Sequence, residues 1–130
     1  MEHINFLAVL AAAASAFLLG GLWYGPLFKQ AWCREAGVDP DASNGHPARI
    51  FGGAFVLSLI AAAVFAWFLG PRPALGVAVC TGAVTGVGWV AASFGINYLF
   101  AGRSLKLWLI DGGYHTLQFT LYGLILGLWH

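Results

Sequence analysis

Three stretches of this chain run without a charged side chain for longer than a bilayer is thick. Between His3 and Lys29 lie 25 such residues, between Arg49 and Arg72 there are 22, and between Arg72 and Arg103 there are 30. A helix rises 1.5 Å per residue, so about 20 residues cross a hydrocarbon core of about 30 Å. The last stretch, Leu107 to His130, is interrupted only by Asp111. The spacing predicts an all-α membrane protein. It is a bundle of four transmembrane helices over roughly 4–27, 50–70, 74–100 and 105–129, in one domain spanning residues 1–130.

The joints carry helix-stopping chemistry. Gly25-Pro26 closes the first run, Gly70-Pro71-Arg72-Pro73 makes a hairpin after the second, and Ala101-Gly102-Arg103-Ser104 a short turn after the third, with Ser104 placed to cap the fourth helix. Only the connection from Lys29 to Arg49 is long. Asp39-Pro40-Asp41 and Ser43-Asn44-Gly45 mark it as an exposed loop after a short interfacial extension through Trp32. Phe6 to Ala14 resembles the apolar part of a signal peptide, and Ala14-Ser15-Ala16 a cleavage site. The missing basic n-region and the unbroken apolar run to Phe28 favour a first membrane helix instead.

Only 8% of residues are charged and 60% are hydrophobic, too few charges to coat a soluble globule. A net charge of +1 offers no field for nucleic acid, and the lipid bilayer is the expected partner. Lys29, Arg34, Arg49, Arg103 and Lys106 follow helices one and three, whereas only Arg72 and the terminal amine lie on the other side. The positive-inside rule then puts those two loops in the cytoplasm of a bacterial inner membrane and both termini outside. Trp23, Tyr24, Trp32, Tyr98 and Trp108 fall at the inner interface as an aromatic belt, with Trp67 and Trp129 at the outer one and Trp89 mid-membrane. Cys33 and Cys80 fall on opposite sides, too far apart to bond within one chain, and read as passive.

The string Leu19-Gly20-Gly21-Leu22-Trp23-Tyr24-Gly25-Pro26-Leu27-Phe28, followed by Lys29 and Trp32, resembles the opening of a bacterial four-helix membrane family, domain of unknown function 1761. The closing helix is similar too, with Leu109-Ile110-Asp111-Gly112-Gly113-Tyr114 and then Gly123 to Trp129. The resemblance spans nearly the whole chain and implies an integral membrane protein. It carries no activity with it.

The fourth helix is the informative one. At about 100° per residue, Asp111, His115, Gln118 and Tyr122 share an arc of about 60°. Gly112, Thr116, Thr120, Gly123 and Gly127 form a small-residue stripe, and Ile110, Leu117, Leu121, Leu124 and Leu128 an apolar one. The apolar stripe is expected to meet lipid and the small stripe a helix. The polar stripe must face the interior or water, because an Asp at the bilayer centre costs roughly 2.5–3.5 kcal/mol. Asn97 and Ser93 on helix three and Tyr24 at the end of helix one lie at matching depth. With Asp111 and His115 they make a candidate polar cluster, with Arg103 or Arg49 reaching in as counter-charge.

That cluster has two readings. One is a proton-coupled or ligand site, since intramembrane ionisable groups commonly mark pathways. The other is an interhelical hydrogen-bond network, with Asp111 bonded to His115 along the helix and to Asn97 across it. Gly21 and Gly25, Gly82 and Gly86, and Gly123 and Gly127 have the small-xxx-small spacing of tight helix packing, within or between chains, and because four short helices bury little interior a homo-oligomer is expected. Of His3, His46, His115 and His130 only His115 has a carboxylate on its face. Two ligands do not make a zinc site, and Asp39 and Asp41 lack the rest of a calcium loop. Ser58, Ser93 and Ser104 sit in no nucleophile elbow. The chain reads first as a structural or accessory oligomer-forming membrane protein with no cofactor, metal or catalytic residue. A small-molecule or ion transporter or channel subunit using the polar stripe, and an intramembrane enzyme, are its alternatives.

Overall fold

The computed structural model describes residues 4–38 and 47–130, and among them there are helices and turns and no strand. The helices are α1 (Phe6–Leu22), α2 (Lys29–Ala36), α3 (Pro47–Leu69), α4 (Leu75–Thr85), α5 (Ala92–Ala101) and α6 (Leu105–Leu128). A π-helical segment, Trp23–Leu27, extends α1, and a second, Gly86–Ala91, joins α4 to α5. Three continuous runs are long and apolar enough to cross a membrane: Phe6–Leu27, Ala48–Leu69 and Leu75–Ala101. Glu2, His3, Asp39, Pro40, Asp41, Ser43, Asn44, Gly45 and His46 lie outside the described residues.

Local chemistry explains the helix ends. The Asn5 side chain caps α1, its Oδ1 accepting from the amides of Leu7 and Ala8 at 3.1 and 3.2 Å. Pro26 has no amide hydrogen to give the Leu22 carbonyl, and the chain widens there, the Phe28 amide reaching back five residues to the Trp23 carbonyl at 2.9 Å. Gly37 and Gly102 end α2 and α5 at φ 73° and 69°, where a side chain is disfavoured. The connection expected as an exposed loop beyond Trp32 is helical as far as Ala36, and it buries Cys33.

α6 is the axis of the bundle. It packs along α4 and the π segment after it, and against α1, while α3 packs mainly on α1. Small residues make the core: Ala8, Ala12, Ala13 and Ala16 of α1 and Ala62 of α3 are fully buried beside Phe65, Tyr122 and Leu126. Along α6 the small stripe faces α4. A methyl group on Gly82 would run into the Phe119 carbonyl, and one on Gly123 into the Ala78 carbonyl. On Gly86 it would lie 2.6 Å from the Thr116 Cα and on Gly127 3.1 Å from the Leu75 Cα. By contrast, Gly21 and Gly25 have nothing among the described residues within 4 Å of that position. The apolar stripe is not uniformly outward either: Leu117, Leu124 and Leu128 are exposed, but Ile110 is buried.

The α5–α6 turn is tied to α2 by one hydroxyl. Ser104 Oγ accepts from the Leu107 amide at 3.1 Å, capping α6, and donates to Glu35 Oε1 at 2.5 Å. That hydrogen bond, helped by Lys106 and Arg34, holds the Glu35 carboxyl below its ordinary value of 4.5. A folded value below the unfolded one means the contribution is present above pH 4.5 and is lost as the pH falls below it. Glu35→Gln should therefore melt lower than wild type at pH 7. The gap should close by about pH 3 in thermal scans; a gap that stays constant with pH would show the hydrogen bond contributes nothing.

Candidate functional site

The polar residues of α6 fall into two clusters rather than one. Asp111 is buried, and each of its carboxyl oxygens accepts a phenol: Tyr24 Oη donates to Oδ1 at 2.6 Å, and Tyr98 Oη donates to Oδ2. One phenol comes from the π segment after α1 and the other from α5, so a single carboxyl joins three helices. Two indoles flank it. Trp23 Nε1 donates to the Ile110 carbonyl at 2.9 Å, and Trp108 Nε1 to the Ala91 carbonyl at 2.8 Å. Four of the five residues expected as an inner aromatic belt thus direct their polar atoms at α6 or from it.

The second cluster lies deeper and is a chain. His115 Nδ1 and Gln118 Oε1 are 2.5 Å apart, Gln118 Nε2 donates to Tyr122 Oη at 2.6 Å, and Tyr122 Oη and Ser58 Oγ of α3 are 2.6 Å apart. The Phe94 ring stacks on the His115 imidazole at 4.8 Å, and Tyr114 meets it edge-on at 4.8 Å while donating to the Ala16 carbonyl at 3.0 Å. Asp111 and His115 are not hydrogen-bonded to each other, contrary to the arrangement expected along the helix. Every buried polar side-chain atom among the described residues has a partner.

Asn97 and Ser93 are outside both clusters. Both are exposed, and Ser93 Oγ donates to the Trp89 carbonyl of its own helix. The π segment Gly86–Ala91 is the reason. There the Ala92 amide reaches the Val87 carbonyl, five residues back, which adds a residue to the turn. On an uninterrupted α-helix the face of Gly82 and Gly86 returns about 11 residues on, at Ser93 and Asn97. One added residue rotates it by about 100° to Phe94 and Tyr98, the residues that meet His115 and Asp111. Tyr98 and Ser58 are the members that sequence reasoning missed. The spacing of Tyr98 from Gly82 would have found it only if the extra residue were known.

An open cleft of about 250 Å³ reaches Asp111 from the α2 end, lined by Trp32, Ala36, Val38, Tyr98, Arg103 and Leu107. Arg103 lies in it but donates Nη1 to the Ala36 carbonyl at 3.0 Å. Arg49, the other expected counter-charge, is exposed in the first turn of α3. No group of three His, Cys, Asp or Glu side chains placed to hold a metal occurs among the described residues.

Residues 7–127 match the family model described as Protein of unknown function (DUF1761), and the chain belongs to that family. No curated protein and no solved structure matches it.

Proposed function

We propose that this protein is a four-span inner-membrane protein with a structural or accessory role, assembling with itself or with another membrane protein. The observation that carries the reading is how Asp111 is held: each carboxyl oxygen accepts a phenol from a neighbouring helix, so the group ties helices together. A carboxyl that moved protons would need a continuous hydrogen-bonded route, and the deeper His115 chain has no bond to Asp111. α6 supplies the fourth crossing. Its 24 residues extend about 36 Å at 1.5 Å each, its polar groups face inward, and Leu109, Leu117, Leu124 and Leu128 face out. Lys29, Arg34, Arg49, Arg103 and Lys106 support a cytoplasmic position for the ends of the first and third crossings, with both termini outside. Among the described residues nothing lies within 4 Å of a Cβ placed on Gly21 or Gly25, which leaves a stretch from α1 into the π segment after it where a second helix can approach closely.

Three measurements test this reading. Native mass spectrometry from detergent should give a dimer or larger species, and Gly21→Ile with Gly25→Ile should shift it toward monomer. Proteoliposomes under a pH gradient should leak no faster than protein-free ones; a proton flux abolished by Asp111→Asn would replace the structural reading with a transport one. A reporter at the C-terminus should read outside, and a cytoplasmic signal would overturn the topology.

A further inference from the structure

Arg103 and Asp111 line the same cleft with opposite charges, and they are not paired. The guanidinium donates to the Ala36 carbonyl, the carboxylate accepts from Tyr24 and Tyr98, and among the described residues the ion pair is instead Arg34 with Glu35 at 3.6 Å. Opposite charges beside a low-dielectric medium attract strongly. Holding them apart takes structure, and each has its own tether. Two fixed, opposite charges facing one space complement a molecule carrying an ammonium and an oxyanion a few bonds apart.

A second groove, of about 280 Å³, shares Tyr98 and Arg103 with the cleft and continues over Gly95, Leu99, Leu105 and Trp108. It is apolar below Arg103, and Leu99 and Leu105 are exposed. The Trp108 indole packs closely over Gly95 on its floor, where a Cβ would come within 3.0 Å of Nε1. A charged cleft joined to an apolar groove matches an amphiphile better than a free polar solute.

We propose that this is a binding site for a zwitterionic aminophospholipid. Its primary ammonium lies at Asp111 against the Trp32 ring, its phosphodiester at Arg103, and an acyl chain runs along Gly95, Leu99, Leu105 and Trp108. The ammonium can donate hydrogen bonds to the lone pairs that the two phenols leave on the carboxyl, and aromatic faces attract cations. A trimethylated ammonium has no hydrogen to donate. A headgroup without a cation leaves Asp111 uncompensated, and the charge pattern selects against both. The inference rests on the four-span membrane reading, which places the cleft at the interface where headgroups lie.

The test uses the full chain in nanodiscs of equimolar phosphatidylethanolamine, phosphatidylcholine and phosphatidylglycerol, followed by native mass spectrometry of the retained lipid. Phosphatidylethanolamine should be enriched at least about threefold over each of the others, a selectivity of at least about 0.7 kcal/mol, since tenfold is 1.4. Arg103→Gln, a change at an exposed residue, should abolish the enrichment, and Asp111→Asn should do so where that variant folds. Arg72→Gln, in the turn after α3, should leave it intact. Equal retention of the three lipids, preference for phosphatidylglycerol, or enrichment unchanged in Arg103→Gln would each overturn the proposal, as would binding of free phosphoethanolamine without lipid enrichment. A chain that does not enter nanodiscs would instead defeat the membrane reading, so the two failures are distinguishable.

Discussion

Adding a single methyl group at Gly82 or Gly123 is expected to destabilise this protein more than the same change at any outward glycine. At both positions the new carbon collides with a backbone carbonyl of the facing helix, Phe119 for Gly82 and Ala78 for Gly123. A flexible side chain can turn away from such a clash, but a carbonyl moves only with its helix. Separating α4 from α6 also loosens the neighbouring approaches at Gly86 and Gly127, because all four lie on one interface. Overpacking of this kind costs about 1–3 kcal/mol and occasionally more. Gly21→Ala and Gly25→Ala meet nothing among the described residues and should stay within about 0.5 kcal/mol of wild type. Thermal unfolding in detergent of the four single variants checks this, and equal midpoints would mean that close packing at Gly82 and Gly123 does not stabilise the α4–α6 contact.

The second large effect is at Asp111. Asp111→Leu removes the acceptor of two half-buried phenols and leaves both without that partner. Hydrogen bonds inside membrane proteins contribute about 0.6–2 kcal/mol each, so roughly 1–4 kcal/mol should be lost. Asp111→Asn keeps the shape and one acceptor oxygen and should cost less. The sharper expectation concerns combinations. Once Asp111 is Leu, the changes Tyr24→Phe and Tyr98→Phe remove groups that no longer have a partner, so the triple variant should be more stable than Asp111→Leu alone. In the wild-type background the same tyrosine changes should destabilise. Additive losses across the series would show that the carboxyl and the phenols act independently, and the structural reading of the site would fall.

The two effects connect the fold to the site. Tight contact of α4 with α6 sets where the π segment Gly86–Ala91 can form, since Trp108 of α6 donates to the Ala91 carbonyl at its end. The π segment then sets which residues of α5 face α6. Loss of the glycine contact should therefore weaken the Tyr98–Asp111 bond as well, so the Gly82 and Asp111 variants are expected to couple although their side chains do not touch.

Much of this was legible in the sequence because it depends on local chemistry. Uncharged runs mark the apolar helices, Gly and Pro mark their ends, and Ser104 marks the start of α6. The 100° periodicity of α6 puts Asp111, Gln118 and Tyr122 on a common side, where they are buried. It also puts Gly123 and Gly127 on the side that meets another helix. These follow from covalent geometry and from the cost of polar groups in hydrocarbon, and neither requires knowing what a helix packs against.

What only the tertiary structure decided is which partners those faces meet. Asn97 was the expected partner for Asp111 because it lies at matching depth near the end of the third apolar run. Tyr98 has the position because one added residue in the π segment turns the helix by about 100°. The carbonyl at the end of that segment is satisfied by an indole 17 residues away on α6. Likewise, Trp23 and Tyr24, expected in an aromatic belt, bond to α6 where the chain widens around Pro26. Local sequence sets which face of a helix is polar; a one-residue change in helical register, stabilised by a contact distant in sequence, sets what that face touches.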